Sequence, residues 1–268
     1  MGTETRRRNG FGAAWLAAPL AVLVATLVVA RAAPAEPLRV FAAASLTEAF
    51  RELKSLYERK HPGETVALYF AGSQILRTQI EQGAAADVFA SADLAHADAL
   101  RNAKLLDAYE IFARNRIVVV VPKGGTDTTL RRLEDLAAPG IRLVVAAAAV
   151  PVGHYTSEVF AKLGAAALYG DGFQQRLQAN VVSHETNVRA VLSKVALDEA
   201  DAGFVYATDA ATSDKVRTID IPEPYNVVAE YPIGILTRSA APEKARALIE
   251  LVRGNEGRAI LRRHGFAR

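Results

Sequence analysis

Five short turns in this sequence set small or polar residues directly ahead of a run with helical periodicity: Ala44-Ser45, Gly72-Ser73, Pro151-Val152, Asn187-Val188 and Tyr206-Ala207. Each follows an apolar or β-branched stretch that reads as a strand, so each marks a strand passing into a helix. The first N–H groups of a helix have no intrahelical acceptor and lie at the positive end of its dipole, which suits them to an anion. In open α/β sheets, ligands bind at the carboxyl ends of parallel strands. The chemistry on offer is capture of a small anion. Any one of these turns, taken alone, reads more readily as a plain helix cap, and it is the five together that point to an anion.

Covalent and redox chemistry have no such support. The chain lacks a G-x-S-x-G elbow, a G-x-x-x-x-G-K-[ST] loop, an H-E-x-x-H pair and a G-x-G-x-x-G turn after a strand. His61, His96, His154, His184 and His264 stand far apart without ligand spacing and read as isolated surface histidines. With no cysteine anywhere, disulfides, thiolate metal sites and thiol nucleophiles are excluded. An exported hydrolase using Ser45 or Ser73 as nucleophile is the competing enzyme reading, and no base stands at a recognisable spacing from either.

The elements that must position these turns follow an α/β rhythm of short strands and amphipathic helices, the pattern of mainly parallel sheets flanked by helices. Strands are expected at residues 38–41, 65–70, 87–91, 117–121, 142–148, 180–183, 202–206, 216–221 and 233–236. Helices are expected from Ser45 onward, at 74–82, 94–103 and 133–138, from Asn187 to about 200, and at 242–253 and 256–264. Ser45 is expected as an N-cap, with Ser45-x-x-Glu48 as a capping box. The chain crosses between lobes near 116–121 and 229–235. That gives a discontinuous first lobe, residues 36–115 plus 232–268, and a second lobe, residues 116–231.

Of the 268 residues, 51% are apolar and 23% charged, enough for a sizeable core and too apolar for disorder. Arg6, Arg7, Arg8 and Arg31 against Glu4 account for the whole formal charge of +3, so the remaining chain is neutral. A neutral body lacks the basic surplus that nucleic acid or an anionic membrane would require. Residues 1–35 combine three arginines, an apolar run from 13 to 30 and an Ala33-Pro34-Ala35 exit, which reads as a secretory signal peptide. An uncleaved membrane anchor is the alternative for that run.

Several blocks resemble the periplasmic molybdate-binding proteins of ABC importers. They are Val40-Phe-Ala-Ala-Ala-Ser-Leu-Thr47, Ala71-Gly-Ser-Gln74, residues 79–93, Glu185-Thr-Asn-Val-Arg-Ala-Val-Leu192, residues 199–209 and His264-Gly-Phe266, and they come in the family's order. The resemblance spans nearly all of residues 37–268. It implies a two-lobed periplasmic binding protein fold of type II that closes over a tetrahedral oxyanion. It further implies a periplasmic, monomeric, non-enzymatic receptor without a cofactor. The ligand is molybdate or tungstate, the partners are a permease and its ATPase, and the membrane is met only through that transporter.

By the same resemblance Ser45 and Ser73 hold the anion from the first lobe through hydroxyls and amides. Val152 and Val188 contribute backbone N–H groups, and the Tyr206 hydroxyl completes the cage. The chain departs from the family at Ala146–Ala149, where a Gly-Asp-Pro-type stretch is usual, and at His154. A receptor for another anion such as sulfate is the sibling reading. A carboxylate receptor would place an arginine in the cleft, for which Arg189 is the nearest candidate.

Overall fold

A computed structural model describes residues 36–124 and 130–267; the expected signal peptide, residues 1–35, lies outside the described residues. The first unit is β1 (Leu38–Ala43), a three-residue 3-10 turn at Ala44–Leu46, and α1 (Thr47–Lys60). β1 is buried almost throughout, and α1 buries Ala49, Phe50, Leu53, Leu56 and Tyr57, one stripe at helical spacing. Then come β2 (Val66–Ala71), α2 (Ser73–Glu81), β3 (Val88–Ala90) and α3 (Leu94–Asn102). The long β4 (Leu106–Pro122) leads to β5 (Leu143–Ala146), α4 (Pro151–Ala165), α5 (Phe173–Ala179), β6 (Val181–Glu185) and α6 (Val188–Ala196). The chain finishes with β7 (Ala202–Tyr206), α7 (Ala207–Ala210), β8 (Val216–Asp220), β9 (Val228–Leu236), α8 (Pro242–Arg253) and α9 (Asn255–Arg263).

The strands run β2-β1-β3-β9-β4-β7-β5-β6, with β8 also on β4. Two parallel triplets, β2-β1-β3 and β6-β5-β7, are each joined antiparallel to the strands that link them. β4 serves both sheets. From Leu106 to Arg116 it pairs with β9, and from Ile117 onward it pairs with β7 and β8. Where β9 has not yet joined, Asn226 takes over the ladder. Its Oδ1 accepts from Ile117 N at 3.2 Å and its Nδ2 donates to Ile117 O at 2.9 Å. One apolar core, from Leu38 and Val40 to Val144 and Phe204, continues through both sheets. This is the mixed α/β architecture expected from the alternation.

Several boundaries differ from expectation for physical reasons. β4 starts at Leu106 rather than 117, and β9 starts at Val228 rather than 233. Residues 106–116 are largely solvent-facing, with only Leu106, Phe112, Ala113 and Asn115 buried, and carry Asp107, Glu110, Arg114 and Arg116, so only the fully buried Val run announces a strand. The α5 helix was not anticipated. Ser45 is not an N-cap and the Ser45-x-x-Glu48 capping box does not form. The 3-10 turn delays α1 to Thr47, whose Oγ1 donates to Ala44 O at 2.7 Å, and neither helical start has a side-chain cap. His96 is buried, not a surface residue, with Nε2 3.0 Å from Ala149 O.

Candidate functional site

The carboxyl ends of β1, β2 and β7 and the starts of α2, α4 and α6 converge on one small pocket. Ser45, Ser73, Val152, Val188 and Tyr206 all line it, with Gly72, Ala92 and Asn187 among their neighbours. No lining residue is ionisable apart from the tyrosine. The structure thus brings together the five residues that the family resemblance implied for the site.

On the first-sheet side the groups are hydroxyls. Ser73, 1% exposed, opens α2, and its Oγ accepts the Ala92 N–H at 3.1 Å, which leaves the Ser73 proton free to donate. Ser45 Oγ lies 3.1 Å from the Tyr231 hydroxyl. On the second-sheet side the groups are mainly amides. α4 has Val150 at its N-cap, Pro151 behind it and no side-chain cap. The first α4 amide with an intrahelical acceptor is that of His154, bonded to Val150 O at 2.9 Å, so the Val152 N–H precedes the ladder. In α6 the Asn187 side chain takes the Ala190 N–H at 3.0 Å, which leaves Val188 N–H at the uncapped front.

Tyr206 completes this side from the end of β7. It is 1% exposed, and its hydroxyl oxygen is buried with no hydrogen-bond partner. A buried hydroxyl left unpaired is costly unless something fills the space beside it. Burial, with Tyr231 and Tyr155 next, pushes its pKa well above the ordinary tyrosine value, so the group keeps its proton and acts as a donor.

The two sides are drawn close. Gln74 Nε2 donates to Thr186 O at 2.8 Å, and His96 reaches the carbonyl of Ala149, just ahead of the Val152 turn. A Cβ on Gly72 would lie 2.6 Å from Thr186 O, so only glycine permits this approach. The departure at residues 146–149 has a packing counterpart, because a Cβ on Gly153 would lie 2.1 Å from Ala147 O and 2.5 Å from Ala146 O. His154 faces away, more than half exposed, with Nε2 3.1 Å from Glu158.

Arg189, the candidate for a carboxylate-binding cation, is already engaged. Its guanidinium pairs with Glu48 of α1, with Nε 2.5 Å from Asp209 Oδ1 and Nη1 3.2 Å from Thr212 Oγ1. Burial raises the Asp209 pKa from 3.8 to about 7, against the pull of Arg189. Tyr231, Asn115, His96, Gln74 and this ion cluster were missed in sequence. What joins them is pairing between distant parts of the chain, such as Ser45 with Tyr231, Gln74 with Thr186, His96 with Ala149 and Glu48 with Arg189, and no local spacing reports it. Among the described residues no cluster of His, Cys, Asp or Glu could hold a metal ion, and no helix is long and apolar enough to cross a membrane.

Residues 38–267 match the family described as bacterial extracellular solute-binding protein. The chain is similar to the molybdate-binding protein ModA of Mycobacterium tuberculosis, at 38% identity over 230 residues, covering 85% of this chain and 84% of that one. Among solved structures it resembles the periplasmic molybdate-binding protein of Azotobacter vinelandii, with a TM-score of 0.71 at 21% identity over 86% of this chain and 99% of that one. It also resembles the sulfate-binding protein SubI of M. tuberculosis, with a TM-score of 0.76 at 16% identity over 86% of each chain. At those identities the two structures speak to the fold alone, which a molybdate and a sulfate binder share. The 38% relative and the family match decide further: this chain belongs to the bacterial extracellular solute-binding proteins, in the branch that includes ModA.

Proposed function

We propose that this protein captures molybdate, and tungstate equally, as a tetrahedral dianion in the pocket between its two sheets and delivers it to an ABC transporter. One observation carries the reading. Five residues able to donate a hydrogen bond line a single pocket that no cationic side chain lines, and one of them, Tyr206, has a buried hydroxyl without a partner in the protein. A dianion of this kind accepts hydrogen bonds and offers none, so hydroxyls and backbone amides are the matching groups. Hydrogen bonds to a charged partner contribute about 1.5–3 kcal/mol each. Five of them supply on the order of 7–15 kcal/mol before ordering costs, against roughly 8–12 kcal/mol for micromolar to nanomolar binding.

In this reading the two lobes are residues 36–115 with 232–268, and residues 116–231, and they move about the β4 and β9 crossing. Dipoles divided between two lobes lose their hold when the cleft opens, which suits hand-over to a permease and its ATPase. Residues 1–35 direct export, and the mature protein works as a periplasmic monomer. No catalytic step is assigned, since Ser45 pairs with Tyr231 and Ser73 with a backbone amide, neither of them a base.

Isothermal titration with molybdate, tungstate, sulfate and phosphate tests the proposal. Saturable binding of the first two, with weak or no response to the others, is the expected result. Strong sulfate binding without a molybdate response would instead mark a sulfate receptor of the same fold. Thermal shift offers a second readout, with about 2.7 kcal/mol of stabilisation at a hundredfold excess of ligand over the dissociation constant.

A further inference from the structure

Two side chains of the first-sheet side end on carbonyls of the second-sheet side, and each carbonyl lies just ahead of an amide proposed as an anion donor. His96, in the first turn of α3, has Nε2 3.0 Å from Ala149 O, three residues before Val152. Gln74, in the first turn of α2, donates from Nε2 to Thr186 O at 2.8 Å, two residues before Val188. A carbonyl only accepts, so Nε2 carries the proton in both contacts. His96 Nδ1 and Gln74 Oε1 are left buried without a partner, so among the described residues the cross-contact is the one hydrogen bond that either side-chain tip makes.

Those carbonyls fix the turns they belong to. Between Ala149 and Val152 the Val150 N–H goes to Ala147 O at 2.8 Å, within the same sheet, and Pro151 has no N–H. The His96 contact is what ties this turn to the opposite side. Between Thr186 and Val188 the Asn187 side chain turns to the Ala190 N–H, so Gln74 holds the carbonyl, while Arg189 is tied to Glu48 one residue further on. The first-sheet ends of both contacts are anchored on the serine wall. Gln74 adjoins Ser73, and His96 follows Ala92, whose N–H bonds Ser73 Oγ at 3.1 Å, with the His96 N–H itself taken by Asp93 Oδ1 at 3.1 Å.

We infer that His96 and Gln74 are positioning residues, His96 for the Val152 amide and Gln74 for the Val188 amide, which set how far each amide reaches toward the anion. The inference rests on the anion-binding reading of the pocket. Neither residue lines that pocket. Each acts by ordering the turn that presents an amide, so that less ordering remains for the anion to impose.

His96→Leu and Gln74→Met remove the donor and keep an uncharged side chain of comparable bulk. Titration with molybdate should show a dissociation constant raised about three- to tenfold in each. His96→Gln, whose amide offers a donor in place of Nε2, should restore most of the affinity. Amide NMR at saturating molybdate locates the loss. The shift of the Val152 N–H on binding should shrink in H96L while that of Val188 is kept, and Q74M should show the reverse. Gln74 is only half-buried, so Q74M carries the test if H96L does not fold.

Wild-type affinity in both variants overturns the inference while the molybdate reading stands. So does a loss spread equally over both amides, which marks a loosened cleft, or a loss in H96L that glutamine leaves unrepaired. A wild-type protein that binds no molybdate removes the reading of the site and this inference with it.

Discussion

On the proposed reading, the two walls of the pocket hold an anion by different means. The first-sheet wall relies on side chains. Ser45 and Ser73 offer hydroxyls, the first paired with Tyr231 and the second accepting the Ala92 amide. The second-sheet wall relies on backbone, through Val152 at an uncapped helix start and Val188 behind a cap that satisfies a later amide. Residue identity therefore matters on one wall, and backbone position matters on the other. A serine can be deleted by mutation, whereas an amide can only be displaced.

The comparison breaks most visibly where backbone is forced to move. Gly153→Ala would drive a Cβ to 2.1 Å from Ala147 O, and the turn carrying Val152 must shift to relieve it. We expect a stability loss of about 1–3 kcal/mol or more and a molybdate affinity reduced by at least ~100-fold, read by thermal unfolding and titration. Retention of affinity would mean that the Val152 amide is not a ligand donor.

On the side-chain wall, Ser73→Ala should weaken molybdate binding by about 1.5–3 kcal/mol. Tyr206→Phe should weaken binding similarly, yet leave the ligand-free protein as stable as before or more so, because it removes a buried hydroxyl that has no protein partner. Lower stability of ligand-free Y206F would show that the hydroxyl is satisfied without ligand.

The ion cluster joins the walls, since Arg189 of α6 meets Glu48 of α1 and Asp209 of α7. With its pKa raised from 3.8 to about 7, Asp209 holds its proton more tightly in the folded state than in the unfolded one. Its contribution is full below the ordinary aspartate range and is lost as pH climbs through about 7. Unfolding free energy should therefore fall by roughly 2 kcal/mol between pH 5 and 8, and Asp209→Asn should flatten that slope. A profile unchanged in the variant would exclude Asp209 as its origin. The smallest effect is expected at Val188→Ala, where the amide survives and affinity should move by less than about 0.5 kcal/mol. A large loss there would assign the contact to the side chain.

What the sequence disclosed follows the same division. Strand ends leading into helix starts are local events, so β7, α8 and the Asn187 cap lie where periodicity and capping chemistry put them. All five pocket residues were legible, the turns from their spacing and the individual donors from the family likeness. The capping-box reading of Ser45 failed because the pattern Ser-x-x-Glu is local, whereas both side chains answer to distant partners, Tyr231 and Arg189. The front of β4 was hidden for a related reason. Before Phe112 only Leu106 is buried, and Asp107 and Glu110 add charge, so it resembles a loop until β9 is laid beside it. Long-range pairing of this kind leaves no trace in a window of a dozen residues.

A pocket wall built wholly of uncharged groups has an outcome that can be seen from outside the molecule. No group lining the cavity takes up or releases a proton with the guest, so on the proposed reading the filled protein differs from the empty one by the guest's full double charge. Native electrophoresis or isoelectric focusing would separate filled from empty molecules on that basis alone. A membrane complex that selects its cargo-bearing form would likewise meet two species of distinct electrical character.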